Sequence, residues 1–365
     1  MAPIEPINDN KVYAASHYHT YTMSCFCRDR IRKQEFVPGM ASLLYKRARE
    51  NNLRYITVID NVDENHYGFF FKAIEENPEI FGAGTVAVPY RETQSSENTI
   101  FTVFEEGKVR THIIRAAEIG TDLGEIVLVG CGKEIKHRLD HWDHLTNCAF
   151  SRIGEGYVNN RLRPLKDILK YYLEESLWAF IPHPDFFIGG IFSGFEGDSE
   201  KQKVLPELDI TGKLQRGEIG YEAWSASAAW FKKSGGASLG DLLEAELPKG
   251  IVGDDAPFGA IGHNRMEFNP GDLALDKVEY PHIEDRDDYY RHEEEYGALV
   301  ETEINRLFQE IKAGHFDITT NRTPLHLMVK KLLPSIGSRV LAKKLKLPFF
   351  IEQVSVSHNS SKIPS

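Results

Sequence analysis

Two histidines, His17 and His19, are spaced so that both side chains could bind the same metal ion. The preceding residues, 11–15, are typical of a short β-strand. Side chains alternate along a strand, so residues two positions apart point to the same side. An isolated pair of this kind is either a ligand pair or an accident of a polar strand end. The rest of the chain has to decide between these two interpretations.

Further side chains that can bind metals follow apolar runs later in the chain, as they would at strand ends. They are Asp60, Glu118, His183 and Asp255. Imidazoles mixed with carboxylates suit Zn²⁺, Mn²⁺ or Fe²⁺ better than Mg²⁺, which prefers oxygen ligands. Such ions lower the pKa of bound water to about 7 and polarise a substrate oxygen. The combination therefore predicts hydrolysis that depends on a transition metal.

The elements that must position these residues alternate between strand-like and helix-like segments. This alternation predicts parallel strands joined by helical crossovers, and ligands at strand ends are typical of a β/α barrel. Predicted helices cover residues 40–52, 67–76, 164–175 and 296–312, and predicted strands cover 55–59, 99–104, 112–119, 125–129, 178–181, 220–224 and 250–253. Residues 189–217 are predicted to form a long loop. We expect a barrel domain over residues 1–274 and a C-terminal extension, 275–365, packed on it.

In their order along the chain, these segments resemble the motifs of the PHP (polymerase and histidinol phosphatase) superfamily of metal-dependent phosphoesterases. The resemblance covers about residues 11–265. The matching segments are His17-Tyr18-His19-Thr20, Val58-Ile59-Asp60-Asn61, Ala117-Glu118, His183-Pro184 and Asp254-Asp255. Residues 310–319 are similar to the segment that closes the carbaryl-hydrolase-like branch of that superfamily. The resemblance implies an α/β fold, a distorted seven-stranded β/α barrel. The change to long helical patterns after Pro270 predicts that a C-terminal helical appendage follows it.

The resemblance also implies a ligand set for one or two divalent ions, Zn, Mn or Fe. The first ion would be held by His17, His19, Glu118 and Asp255. Glu118 would bridge to a second ion, bound by His183 and one more ligand. The family supplies a histidine for that ligand, and His144 or His141 would fill the role here. Asp255, Asp60 and Glu118 are the candidate catalytic carboxylates, with Asp255 as the general base if it binds one ion.

The chain departs from the family pattern where a third ion would bind. Cys25, Asn61 and Pro257 stand at positions where the family has nitrogen ligands. Proline has no side-chain donor atom, and an asparagine amide oxygen is a poor ligand for zinc. We therefore expect no third ion. The same replacements leave room for a catalytically degenerate barrel with a binding or assembly role.

Composition limits the partners and the compartment. The net charge is −11, from 43 basic and 54 acidic residues, which argues against general binding of nucleic acid. No apolar run is long enough for a transmembrane helix, and the first residues lack a signal-peptide pattern. The four cysteines suggest no disulfide framework, so we expect a cytoplasmic protein.

The leading functional hypothesis is a metal-dependent hydrolase in which metal-activated water attacks a phosphoester. A hydrolase of a carboxylic ester, carbamate or amide is the first alternative, and the degenerate barrel is the second. The expected partner is a small-molecule substrate. Candidate substrate-binding residues near the motif segments are Arg115, Arg265 and His263. Glu222 lies at a position where the family has a residue beside its site, and we predict a structural role for it.

Overall fold

The fold combines thirteen β-strands and seven α-helices among the residues that a computed structural model describes. These are residues 8, 10–19, 30–61, 68–91, 98–131, 150–153, 156–159, 163–173, 176–184, 190–192, 199–225, 247–257, 261, 262 and 264–320. The strands are β1 (Val12–His19), β2 (Leu53–Asn61), β3 (Thr85–Arg91), β4 (Asn98–Glu105), β5 (Lys108–Gly120), β6 (Glu125–Val129), β7 (Phe150–Ile153), β8 (Gly156–Asn159), β9 (Trp178–Ile181), β10 (Gly220–Ser225), β11 (Ile251–Pro257), β12 (Arg265–Phe268) and β13 (Asp317–Thr319). The helices are α1 (Arg30–Glu50), α2 (Phe69–Glu76), α3 (Leu165–Tyr172), α4 (Ser199–Glu207), α5 (Ile210–Gln215), α6 (Arg286–Arg291) and α7 (Glu293–Ala313).

Seven of the strands close into a barrel. Their order around the ring is β1, β11, β10, β9, β6, β5 and β2, and β2 closes it by pairing with both β5 and β1. Neighbouring strands are parallel except at β6, which runs antiparallel to β5 and to β9. The reversal follows from the short turn between β5 and β6, where Thr121 and Gly124 exchange backbone hydrogen bonds. The predicted seven-stranded barrel is thus confirmed, although it is mixed and rich in strands.

Two antiparallel ribbons extend the barrel wall at the amino ends of β1 and β5. Strand β12 pairs with the first half of β1 and carries β13, and strand β4 pairs with the first half of β5 and carries β3. Helix α7 packs against both ribbons through buried residues, among them Tyr296, Val300, Ile304, Leu307 and Phe308. The described part of the C-terminal extension therefore shares the barrel core, and β13 belongs to the barrel sheet.

Alternation along β5 defines an inner and an outer face of the barrel. Ile114 and Ala116 belong to the cluster that fills the interior. Ile113 belongs instead to the cluster beneath helices α1 and α2. Because residues two apart share a face, Glu118 continues the inner face, whereas Arg115 lies on the outer face.

Helices cover the outer face and account for one wrong prediction. Helices α1 and α2 pack on β1 and β2, and α3, α4 and α5 pack on β6, β9 and β10. The stretch 189–217 was predicted as loop, yet it contains α4 and α5. These short helices bury only a few apolar side chains, such as Leu205, Ile210 and Leu214. Among the described residues, no helix has the length and apolarity that crossing a membrane requires.

Candidate metal centre

The two histidines of the first motif end strand β1 in an irregular conformation. His17 has a positive φ of 61°, which is costly for a residue with a side chain. Pairing with β11 shifts at this point: Ser16 lies opposite Gly253 and Tyr18 opposite Ala256, so a single residue of β1 faces two of β11. This is the geometry of a β-bulge, a feature often found beside active sites.

Glu118 lies between the two histidine rings. Its Oε1 is 3.5 Å from Nε2 of His17, and its Oε2 is 3.7 Å from Nε2 of His19. These separations exceed ordinary hydrogen-bond lengths. They are close to the spacing of about 3.3 Å between neighbouring ligand atoms around a tetrahedral zinc with bonds of about 2.0 Å. Three of the four side chains predicted for the first ion, those of His17, His19 and Glu118, therefore have a spacing that fits a shared metal ion.

A second group of ligand atoms shares Glu118. Nε2 of His183 lies 4.0 Å from Glu118 Oε1 and 3.4 Å from Oε2 of Glu125. The ring of His183 stacks on that of His17, with centroids 5.6 Å apart. In each group the ligand atoms lie within 4.8 Å of one another. Glu118 thus stands where a carboxylate bridging two ions would stand.

Glu125 is the member of this group that the sequence analysis missed. The ligands predicted from the sequence all follow apolar runs, a pattern typical of the carboxyl ends of parallel strands. Strand β6 runs the other way, so its first residue, Glu125, lies at the edge where Glu118 lies. The sequence signal for such a ligand is a carboxylate that follows a tight turn, here the one at Gly124, and directly precedes an apolar run. His144 and His141, predicted for this position, lie outside the described residues.

Electrostatics keep the shared carboxylate ionised. Burial alone would raise the pKa of Glu118, but the neighbouring imidazoles of His19, His17 and His183 lower it to about 2. A carboxylate must be deprotonated to bind a metal ion. Glu118 is therefore in the right state at neutral pH.

Glu222, on β10, holds both histidine segments. Its Oε1 lies 2.9 Å from Nδ1 of His17, and its Oε2 accepts a hydrogen bond of 2.8 Å from the backbone N–H of His183. The carboxylate leaves no space beside it, because a Cβ on Gly253 would lie 1.8 Å from Oε1. The residue predicted to be structural is in direct contact with two candidate ligands.

Asp255 is placed by its backbone alone. It lies in β11 at the bulge facing His17, at the carboxyl end of a barrel strand as predicted. The structure describes the backbone of Asp255 but not its side chain, so its roles as a metal ligand and as a general base stay predictions.

Asp60 and Arg115 lie together on the outer face of the barrel. Oδ2 of Asp60 accepts a hydrogen bond from the backbone N–H of Gly68 and lies 3.9 Å from a guanidinium nitrogen of Arg115. The guanidinium stacks over the ring of Phe71, 4.9 Å from its centroid. The register places Asn61, not Asp60, beside Glu118. These contacts connect β2 and β5 to helix α2.

Arg265 also lies on the outer face. Its guanidinium stacks over Tyr13 at 4.5 Å, and its Nε is 3.5 Å from Glu267. It is almost fully buried. The substrate-binding roles of Arg115 and Arg265, and the catalytic role of Asp60, stay predictions. His263 lies outside the described residues.

Two described cavities lie away from the candidate metal centre. Each has a volume of about 560 Å³. One is lined by residues such as Tyr45 and Glu105, and the other by residues such as Lys108 and His282. None of the candidate ligands lines either cavity.

Known proteins give little guidance. No family model matches the chain, and no curated protein matches it. Among solved structures, the crystal structure of PsfC from Pseudomonas syringae PB-5123 is similar, with 11% identity and a TM-score of 0.42. The match covers 92% of this chain and 99% of that one. A likeness this distant carries no argument about function.

Proposed function

We propose that the chain is a metal-dependent hydrolase of the PHP type, in which metal-activated water attacks a phosphoester. The observation that carries the proposal is Glu118, whose two oxygens face three histidines at separations suited to shared ions. The order of the PHP-like segments along the chain supports the same conclusion.

The chain's own side chains would divide the work between two ions. His17, His19 and Glu118 would hold the first, and Glu118, His183 and Glu125 the second. When bound, the metal would supply a hydroxide near neutral pH and polarise the substrate oxygen. His17 is fully buried and Glu118 nearly so, which keeps bulk water from the protein side of the site.

Metal analysis tests the first half of the proposal. Protein purified without chelator should contain one or two transition-metal ions per chain. A His17→Ala, His19→Ala double variant should lose the first ion. The matched control is His282→Ala, His292→Ala, which removes two exposed imidazoles far along the chain and should leave the metal content unchanged. Protein with the parent's metal content after loss of His17 and His19 would contradict the proposed centre.

Turnover tests the second half. The metal-loaded chain should be offered an aryl phosphomonoester, an aryl phosphodiester, an aryl carboxylic ester and an aryl carbamate. We expect phosphoester cleavage that a chelator abolishes and that Mn²⁺ or Zn²⁺ restores. Cleavage of the ester or carbamate alone would favour the alternative hydrolase. Bound metal with no turnover of any of the four would favour a binding barrel, whose site departs from the family at Asn61 and Pro257.

A further inference from the structure

The buried carboxylate of Glu222 contacts His17 and His183, one candidate ligand from each proposed metal position. We propose that it is a positioning residue for both metal positions. It fixes the ring tautomer of His17 and the backbone conformation of His183. The inference rests on the proposed metal centre. Glu222 itself would bind neither ion, since its two oxygens are already engaged by His17 Nδ1 and the His183 N–H.

The contact to His17 selects one of two ring tautomers. An ionised carboxylate can only accept hydrogen bonds, so Nδ1 of His17 must carry the proton in this pair. Nε2 then keeps its lone pair, and it is the nitrogen that points at Glu118, 3.5 Å away. A carboxylate behind the ring is the usual way to orient a histidine ligand. In the other tautomer, Nε2 would carry a proton and could not bind metal.

The contact to His183 acts on the backbone. His183 has a positive φ of 28°, a conformation that persists only where neighbouring contacts hold it. The bond from its N–H to Oε2 of Glu222 is such a contact, and it is buried. Among the candidate ligands that the structure describes, His17 is the other one with a positive φ. One carboxylate therefore holds both strained histidines in place.

Close packing keeps this carboxylate from moving. Glu222 is 2% exposed, and Gly253 next to it has no room for a side chain. A Cβ there would lie 1.8 Å from Oε1 of Glu222 and 2.7 Å from Cβ of His17. Glycine at position 253 therefore allows β11 to pack directly against Glu222 and His17.

The variant Glu222→Gln separates positioning from packing, because it keeps the shape and changes the hydrogen bonding. An amide has one acceptor oxygen and one donor nitrogen. If the oxygen serves the His183 N–H, the NH₂ faces His17 and favours the tautomer protonated at Nε2. If the oxygen serves His17, the His183 N–H faces a donor. Either arrangement disturbs a metal position, whereas a purely space-filling role would survive.

The decisive measurement is the tautomer of His17, by ¹⁵N–¹H NMR on metal-free protein at alkaline pH, where imidazoles are neutral. We expect Nδ1–H in the parent and a shift toward Nε2–H in Glu222→Gln. Zinc affinity should fall by about 10- to 100-fold. Glu284→Gln is the matched control: it alters a carboxylate paired with an exposed histidine, His282, and should change neither quantity.

The outcomes separate this inference from the proposed function. An unchanged tautomer and unchanged zinc affinity in Glu222→Gln would overturn the positioning role while leaving the metal centre intact. A changed tautomer in a parent that binds no zinc would overturn the metal centre instead. If Glu222→Gln does not fold, Gly253→Ala replaces it, since the added Cβ should push the intact carboxylate off His17. Parent-like zinc affinity in that variant would count against the inference.

Discussion

Arg54 and Glu303, which are 249 residues apart in the sequence, form a bidentate ion pair. Nε and Nη2 of Arg54 each donate to a different oxygen of Glu303, both at 2.8 Å. The hydroxyls of Tyr55 and Tyr280 donate to the same carboxylate at 2.7 and 2.9 Å. Arg54 is the second residue of β2, whose other end lies beside Glu118. The network therefore connects helix α7 to the barrel at the end opposite the candidate metal centre.

The network around Glu303 predicts that the fold loses stability in acid. Burial alone would raise the pKa of Glu303, but its contacts with His112 and with the guanidinium of Arg54 lower it well below 4.5. Burial lowers the pKa of His112 from 6.5, so Arg54 is the cation present at neutral pH. A carboxyl with a depressed folded pKa stabilises the fold above its unfolded pKa, and this stability is lost as the pH falls below about 4.5.

Glu303→Gln should therefore unfold at lower urea concentration at neutral pH, with a loss of about 3 kcal/mol or more, because a buried charge loses its partner. The difference from the parent should shrink as the pH falls below about 4.5. Urea unfolding across a pH series measures both effects. Glu301→Gln, exposed on the same helix, is the control and should change little. A constant difference at all pH values would show that the stabilisation does not come from the ionised carboxylate.

Substitutions of Asp60 and Arg115, the pair on the outer face of the barrel, should lower the stability of the fold without changing the metal content. Asp60 and Arg115 are both almost fully buried, so Asp60→Asn or Arg115→Met alone should destabilise the fold by about 3 to 5 kcal/mol. The double variant should lose less than the sum of the two, because neither leaves a partner charge behind. Urea unfolding and metal analysis on the same samples test this. Asp60→Asn with parent stability and reduced turnover would instead support the catalytic role predicted from the sequence.

Asp60 shows where sequence reasoning about the site reaches its limit. The strand predicted over residues 55–59 is present and continues to Asn61, but the face on which a side chain lies depends on register. The pairing of β2 with β5 places Asn61 opposite Glu118, and a shift of one residue would have placed Asp60 there. Single sequences do not encode that choice in a visible pattern.

His17, His19, Glu118 and His183 could be predicted because they close apolar runs on parallel strands, and the structure brings all four together. Glu222 lies 205 residues from His17, and its contact with that ring depends on the closure of the barrel. The same holds for β12 and β13, which are four and three residues long: β12 pairs with β1, and β13 pairs with β12. Short elements without a strong period are specified by tertiary contacts more than by local sequence.

Glu125 gives the sharpest test of the second metal position. Glu125→Gln should remove one ion per chain and leave the other, because His17 and His19 hold the first ion without it. Glu118→Gln should weaken both, since Glu118 belongs to both groups. Elemental analysis and zinc titration of the two variants measure the difference.

The comparison with His144→Ala and His141→Ala decides which residue completes that second position. The sequence favoured one of these histidines, whereas the structure places Oε2 of Glu125 3.4 Å from Nε2 of His183. If Glu125 is the ligand, the histidine variants should keep the parent's metal content. If Glu125→Gln keeps both ions and a histidine variant loses one, the histidine completes the second position and Glu125 only contacts His183. A carboxylate ligand would add negative charge where the family has a neutral imidazole, and it would favour Mn²⁺ or Fe²⁺ over Zn²⁺ at that position.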